Sequence, residues 1–375
     1  MKKGIILLSI LVIVVAAGYA LTRTERNNPT QPSSQSQGSI ASQDGELLTV
    51  IAENLETPWA LAFLPNGGIL VTERPGRVQL VTADGESQSS PVATLEGVKE
   101  IGEGGLLGIA IHPEFATNNF VYLYYTYSSS GEDTLNRVVR MTFQNNKLEN
   151  EEVIVDAIPG AANHDGGRIK FGPDNFLYIG TGDAQQPTQA QNRNSLAGKI
   201  LRVTDEGKPA PGNPFNNAVY SYGHRNVQGL AWNSEGQFWS TEHGPSGLQS
   251  GRDELNLIEP GNNYGWPEIE GDETRSGMEM PKRHSGNTAW APSGADFAGT
   301  SLFFSGLRGQ TLYEAVISNG NVTELKEHFI KEFGRIREVV TGSDGMLYIT
   351  TSNTDGRGDA DDTDDKILKI NPAKL

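Results

Sequence analysis

The chain has 375 residues, no cysteine and a formal charge of −16. That charge excludes nucleic acid as a natural partner, since a polyphosphate rewards clustered Lys and Arg, and most of the carboxylates read as a solvated acidic surface. The missing cysteines exclude disulfides and a lipoprotein anchor, so burial alone must stabilise the fold.

In chain order, Lys2 and Lys3 precede an almost continuously apolar run from Ile5 to Ala17, followed by Gly18-Tyr19-Ala20. Residues 1–20 read as a signal peptide or an N-terminal membrane anchor, and both imply an exported, periplasmic or extracellular protein. Residues 21–45 are rich in Ser, Gln, Asn, Thr and Pro and read as a flexible polar linker that cannot bury enough surface to order itself. The folded domain is expected over 46–375.

Within it one pattern recurs: an apolar strand, a turn with Asn, Asp or Gly, and a second apolar strand. It reads ALAFLPNGGILVTER around Asn66, GIAIHPEFATNNFVYLYYTY around Asn119 and RIKFGPDNFLYIGTGD around Asp174. It returns as GLAWNSEGQFWSTEHG around Glu235 and EVVTGSDGMLYITTSN around Asp344, with a weaker copy, GTSLFFSGLRGQTLYEAV, from Gly299. Steps of about 45–65 residues suit a propeller, in which each unit buries its sheet face against its neighbours. Six copies, 44 glycines and almost no helical signal predict an all-β fold, a six-bladed β-propeller with four-stranded antiparallel blades. The regular period argues against a pair of β-sandwiches. Loops at one end of a propeller converge on its axis, so Gly102–Gly105, Asn163–Arg168, Gly223–Gln228, His243–Pro245 and Gly334–Glu338 are expected to meet.

Several of these segments carry chemistry. His164 precedes Gly166 and Gly167, which read as letting the backbone approach a ligand. Asp183, ending the next strand, is placed to orient the imidazole and raise its basicity. A lone His is more often structural, and the nearby carboxylate favours a base. Arg225, Arg335 and Arg337 stand apart from any helix pairing, and Arg335 and Arg337 alternate along one strand. Each alone is as well explained by surface ion pairing; three at strand ends of an acidic protein favour a polyanionic ligand. Asp253, Glu254 and the Gly244-Pro245 turn suggest a hard cation bound by oxygen, for which calcium fits. The acidic stretch Asp355–Asp365 lacks calcium-loop spacing and reads as a solvated loop. No zinc spacing, GxSxG elbow or phosphate-binding loop is present.

The motifs TPWALAFLPNG, GEGGLLGIAIHP, NHDGGRIKFGPD, GHRNVQGLAW, EHGP, DELNLI, NYGWP, APSGADF and GRIREV together resemble the soluble pyrroloquinoline quinone (PQQ)-dependent glucose/sorbosone dehydrogenases, in particular the aldose sugar dehydrogenase branch. The resemblance runs from about residue 57 to 370. It implies a six-bladed propeller that oxidises aldoses at C1 to lactones with PQQ and calcium and passes electrons to an external acceptor. His164 would be the general base as hydride leaves C1, oriented by Asp183, with Arg225 and Asn226 near the reactive quinone edge and Gln228 beside them. Arg308, Arg335 and Arg337 would hold PQQ carboxylates, and Glu103, His243 and Asp253 would complete the cofactor site. Gly244 and Pro245 would bind the cofactor calcium, and Glu254 and Tyr264 a second, structural calcium. Glu103 and His243 stand where glucose-oxidising members carry Gln, so glucose is not implied as the preferred sugar. The insertion Ser246–Gly251 departs from the family spacing and would reshape the rim. Two other classes remain open: a calcium-dependent propeller lactonase, whose metal would sit among axial carboxylates, and a non-catalytic ligand-binding propeller, which would not need the His164–Asp183 pair.

Overall fold

The computed structural model describes residues 45–131, 133–247 and 250–375. The readings of residues 1–20 and of nearly all of 21–45 lie outside the described residues.

Six four-stranded antiparallel sheets follow one another along the chain. Blades 1 to 5 span 58–94, 106–159, 169–222, 227–284 and 292–328. Blade 6 takes three strands from 336–370 and its outermost strand, Leu48–Ala52, from the other end of the folded region, pairing Leu48 with Ile370. That closure ties the two ends of the domain together and is how a propeller protects the open edge of its last sheet.

The sequence repeat has a local cause. In the turn joining the first two strands of blades 1, 3, 4 and 6, the side chains of Asn66, Asp174, Asn233 and Asp344 accept backbone N–H groups two residues on. The turn then closes through a left-handed residue: Gly67, Asn175, Gly236 and Gly345 all have positive φ. Asn and Asp mimic a backbone turn and Asn and Gly tolerate that conformation, so the same residue types recur. Blade 5 departs from this. Its first strand is Pro292–Ala298 and its turn is Gly299-Thr300, without such a side chain. The weak copy from Gly299 therefore covers the second and third strands, not the first and second.

The first strands of successive blades pack around the axis, and five of the six share an irregularity. Their register shifts between Pro58 and Ala60, Leu106 and Ile109, Val227 and Gly229, Pro292 and Ala295, and Ile336 and Glu338. Trp59, Leu107, Gln228, Ser293 and Arg337 fall inside these bulges. A bulge re-aims a side chain that regular pleating would send into the sheet face. Here the re-aimed groups meet: Arg337 Nη1 donates to Gln228 Oε1 at 2.8 Å and lies 3.4 Å from Ser293 Oγ. Both Arg337 and Arg168 sit over the Trp59 ring. This layer closes the axial channel partway along and forms the floor of a cavity.

Candidate active site

The cavity above that floor has a volume of about 380 Å3. Glu103, His164, Arg225, Gln228, His243, Gly244, Pro245, Asp253, Arg308, Arg335 and Arg337 all line it, bringing together residues 234 positions apart (337 − 103). Asp183, Asn226, Glu254 and Tyr264 do not line it, and each has a different place.

His164 is held through both its ring and its backbone. Its Nδ1 is 2.8 Å from Asp183 Oδ1, and Asp183 Oδ2 accepts Trp266 Nε1–H at 2.8 Å. The Asp183 side chain is fully buried. A carboxylate facing Nδ1 fixes the tautomer with the proton there, leaving Nε2 as the acceptor. The His164 N–H donates to Glu103 Oε2 at 3.0 Å, and His164 takes a positive φ of 66°. A left-handed histidine is uncommon and costs strain that the surroundings must hold in place. The two glycines after it serve a purpose other than the one expected. A Cβ on Gly166 would come within 2.5 Å of Gly180 O, and one on Gly167 within 2.7 Å of Leu107 Cδ1. They let the His164 loop pack against neighbouring blades, not against a ligand.

Three of the guanidiniums that line the cavity have contrasting partners. Arg335 gives Nε and Nη2 to Asp355 Oδ2 at 2.9 and 2.8 Å and Nη1 to Leu307 O. Arg225 contacts no carboxylate through its side chain; Nη2 reaches Ser246 Oγ at 2.9 Å, and Nε is buried without a partner. Arg337 also meets only neutral acceptors, and its Nε too is buried without a partner. Burial lowers the pKa of both Arg225 and Arg337. Buried, incompletely paired cations are costly unless something else supplies negative charge. Arg308 lies at the rim with an exposed side chain.

The remaining predicted residues build the walls. Asn226 is fully buried beneath the His164 loop, where Oδ1 accepts the Gly166 N–H at 2.9 Å and Nδ2 has no partner. Gln228 is committed to Arg337, and His243 Nε2 is buried without a partner. Asp253 accepts the Gly244, Trp290 and Ala291 N–H groups, so its carboxylate anchors the rim. A Cβ on Gly244 would lie 2.2 Å from Gly251 O, which is why this tight turn needs glycine. Among the described residues no hydrogen-bond donor reaches the carbonyls of Gly244 or Pro245. Of the insertion, Ser246 and Ser250 join the lining.

Glu254 and Tyr264 line a small adjoining cavity behind the Gly244-Pro245 turn. The Tyr264 hydroxyl donates to Leu257 O and accepts the Glu259 N–H, both at 2.8 Å. The phenol is thus spent, and only the main-chain oxygen of Tyr264 is free to face a cation. Burial and the neighbouring Glu242 push the Glu254 carboxyl up to about 8.

Sequence reasoning missed Trp266, Asp355 and Arg357. Trp266 donates to the second oxygen of Asp183; Asp355 clamps Arg335; Arg357 lines the cavity and pairs with Glu103 at 3.0 Å. Asp355 and Asp365 also correct the reading of the acidic stretch as solvated. The Asp355 side chain is 2% exposed, and fully buried Asp365 accepts from Thr351, Asn353 and Thr354. A buried carboxylate in an acidic run leaves no pattern that marks it in the sequence.

The family model for glucose/sorbosone dehydrogenase matches residues 55–363. The PQQ-bound form of aldose sugar dehydrogenase from Streptomyces coelicolor superposes with a TM-score of 0.81 at 42% identity, covering 87% of this chain and 97% of that one. A putative oxidoreductase (glucose dehydrogenase) from Thermus thermophilus gives 0.82 at 44%, covering 86% and 99%. Aldose sugar dehydrogenase of Escherichia coli is 32% identical, covering 86% of this chain and 92% of the relative.

Proposed function

The chain belongs to the glucose/sorbosone dehydrogenase family, and from that premise we propose that it is a PQQ- and calcium-dependent aldose dehydrogenase. The observation that carries this reading is the pair Arg225 and Arg337: two buried guanidiniums, each with an unpartnered Nε, on the wall and floor of one cavity that also holds a carboxylate-oriented histidine. That donor set suits a planar polycarboxylate. The lactonase reading calls for carboxylates free at the axis; here five arginines line the cavity, and the Asp253 carboxylate is taken up by backbone N–H groups. The non-catalytic reading leaves the Trp266–Asp183–His164 chain of hydrogen bonds without a purpose.

PQQ, when bound, supplies the two-electron acceptor for an aldose that leaves as its lactone. Arg337, Arg225, Arg335 and the rim residue Arg308 would hold its carboxylates. Calcium, held by the Gly244 and Pro245 carbonyls, would supply the charge that polarises a cofactor carbonyl. His164 takes the proton of the C1 hydroxyl at Nε2. Asp183 keeps Nδ1 protonated and stabilises the imidazolium that forms, and Trp266 keeps Asp183 aimed. A positioned base of this kind contributes about 10²–10⁴ in rate. The apolar run at residues 5–17 supports export, and the electrons pass to an external acceptor.

The test adds PQQ and calcium to the apo-protein and follows quinone bleaching with an aldose. Bleaching that depends on all three components is expected. A protein that binds neither PQQ nor sugar, or hydrolyses lactones without PQQ, would overturn the reading.

A further inference from the structure

Arg357 lines the cavity but takes no part in the reaction described so far. It lies between the last two strands of blade 6, and its guanidinium bridges two other loops. Nη1 donates to Glu103 Oε1 at 3.0 Å and Nη2 to Asn163 Oδ1 at 3.2 Å. The second oxygen of Glu103 accepts the N–H of His164. The fork is therefore tied to the chain neighbour of the proposed base and to the acceptor of that base's own N–H. It faces the cavity from the mouth, with its side chain 51% exposed, whereas Arg225 and Arg337 lie buried below. Its loop is anchored: the Arg357 N–H donates to Asp355 Oδ1 at 2.9 Å, and Asp355 Oδ2 is the clamp on Arg335.

An exposed ion pair adds about 0–1 kcal/mol to stability, which gives little reason for three loops to converge on this one. The arrangement does match a ligand. A carboxylate offers acceptors only, a guanidinium donors only, and the two are held side by side beside His164. Adjacent hydroxyls of a sugar ring can satisfy both, one donating to Glu103 and the next accepting from Arg357. Burial opposes ionisation of Glu103, yet His243, the His164 N–H and Arg357 hold its carboxyl well below the usual range, so the acceptor stays ionised.

We propose that Arg357, with Glu103, is the specificity-determining clamp that reads a vicinal diol of a neutral aldose while His164 faces its C1 hydroxyl. This rests on the aldose dehydrogenase reading. Arg357 acts here on the sugar and not on the cofactor, which distinguishes it from the other arginines of the cavity.

The test compares wild type, R357A and R357K, each loaded with PQQ and calcium, on D-glucose and its C2 and C4 epimers, D-mannose and D-galactose. Calorimetric binding of 1,5-anhydro-D-glucitol, which has no C1 hydroxyl to oxidise, gives a readout without chemistry. R357A is expected to raise KM about tenfold for the preferred epimer, with a smaller change in kcat, and to narrow the kcat/KM ratio between epimers. Binding of the anhydro sugar should weaken by the same factor, R357K should recover part of both, and PQQ affinity should stay as in wild type. An unchanged epimer ratio together with unchanged anhydro-sugar binding would overturn the clamp, as would a loss confined to PQQ affinity. Failure of the functional reading looks different: wild type itself would then oxidise none of these sugars, while the anhydro-sugar titration still reports on Arg357.

Discussion

At one end of the axis, a cavity of about 380 Å3 is lined by Arg225, Arg335 and Arg337; at the other, a cavity of about 210 Å3 is lined by Arg168, Lys170 and Glu338. The bulged floor around Trp59, Gln228 and Arg337 separates them. At the far end the cations are paired within the protein. Arg168 bonds Glu338 and, through Nε, Gln228 O at 2.8 Å, while Lys170 meets Asp296 at 2.8 Å. At the near end only Arg335 has a carboxylate of its own among these three. The same residue type, placed above or below one floor, has a carboxylate partner in one place and, at Arg225 and Arg337, none in the other. Charge alone does not separate the two ends, and neither does a single unpartnered nitrogen, since Arg168 Nη2 is also buried without a partner; the want of a carboxylate of their own does, for Arg225 and Arg337.

The largest effect that tests this contrast lies at the near end. In cofactor-saturated protein, His164→Ala should slow sugar-driven reduction of PQQ by about 10²–10⁴ while leaving PQQ affinity intact. Stopped-flow absorbance separates this step from reoxidation, and a near-normal rate would remove His164 as the base. Asp183→Asn should lose less, since it only orients and polarises the ring.

Next comes the far end. Glu338→Ala leaves Arg168 buried without its carboxylate and should cost about 3–5 kcal/mol of stability, read by denaturant unfolding. Glu338→Gln, which keeps the shape, should cost less. A mild Glu338→Ala phenotype would mean that the far-end pair is not the structural lock described.

Arg337→Met tests both halves of the comparison in one variant. PQQ binding should weaken by about 1.5–3 kcal/mol, roughly 10–150-fold, as charge-assisted bonds are lost. The apo-protein, freed of an incompletely paired buried cation beside Trp59, should be as stable as wild type or more so. Loss of apo stability with unchanged PQQ affinity would place Arg337 with Arg168 as a structural cation. Chelation should likewise abolish dye-linked activity and calcium restore it, given the open Gly244 and Pro245 carbonyls; full activity after exhaustive chelation would count against calcium.

What the sequence showed and what it hid follow from distance along the chain. The copies around Asn66, Asp174, Glu235 and Asp344 were legible as a repeat because each turn closes locally, through a side chain (Asn66, Asp174, Asn233, Asp344) that accepts the N–H two residues on. Blade 5 was blurred because Gly299-Thr300 closes its turn without such a side chain. His164 and Asp183 were legible as a pair because only 19 residues, a single hairpin, separate them. Trp266 reaches Asp183 from 83 residues away and Arg357 reaches Glu103 from 254, and nothing near either residue announces the meeting. Gly166 and Gly167 were recognised as close-approach positions, but sequence does not say what approaches. The bulges that place Gln228 and Arg337 on the floor depend on pairing between strands and have no single-strand signature.

The smallest effect concerns Asp165, the neighbour of His164. Its Oδ1 accepts from Asn136 Nδ2 and the Ala161 N–H, both at 3.1 Å, while Oδ2 is buried without a donor. Burial raises its carboxyl to about 7. In the unfolded chain an Asp titrates near 3.9. The folded state therefore holds this proton more tightly, so the contribution of Asp165 to stability is greatest below about pH 4 and is lost as pH rises through about 7. Asp165→Asn mimics the protonated form at every pH. It should leave stability near that of wild type at pH 4 and add stability at pH 8.5. The gain should lie at the low end of the usual cost of an unsatisfied buried group, about 1 kcal/mol, because one carboxylate oxygen is already well bonded. For a domain of this size that is about 1–2 °C in Tm at the higher pH. Thermal unfolding of both proteins across pH 4 to 8.5 measures it. A difference between variant and wild type that stays constant with pH would show that Asp165 titrates alike in the folded and unfolded chain, and that the near end carries its unsatisfied charge in its arginines alone.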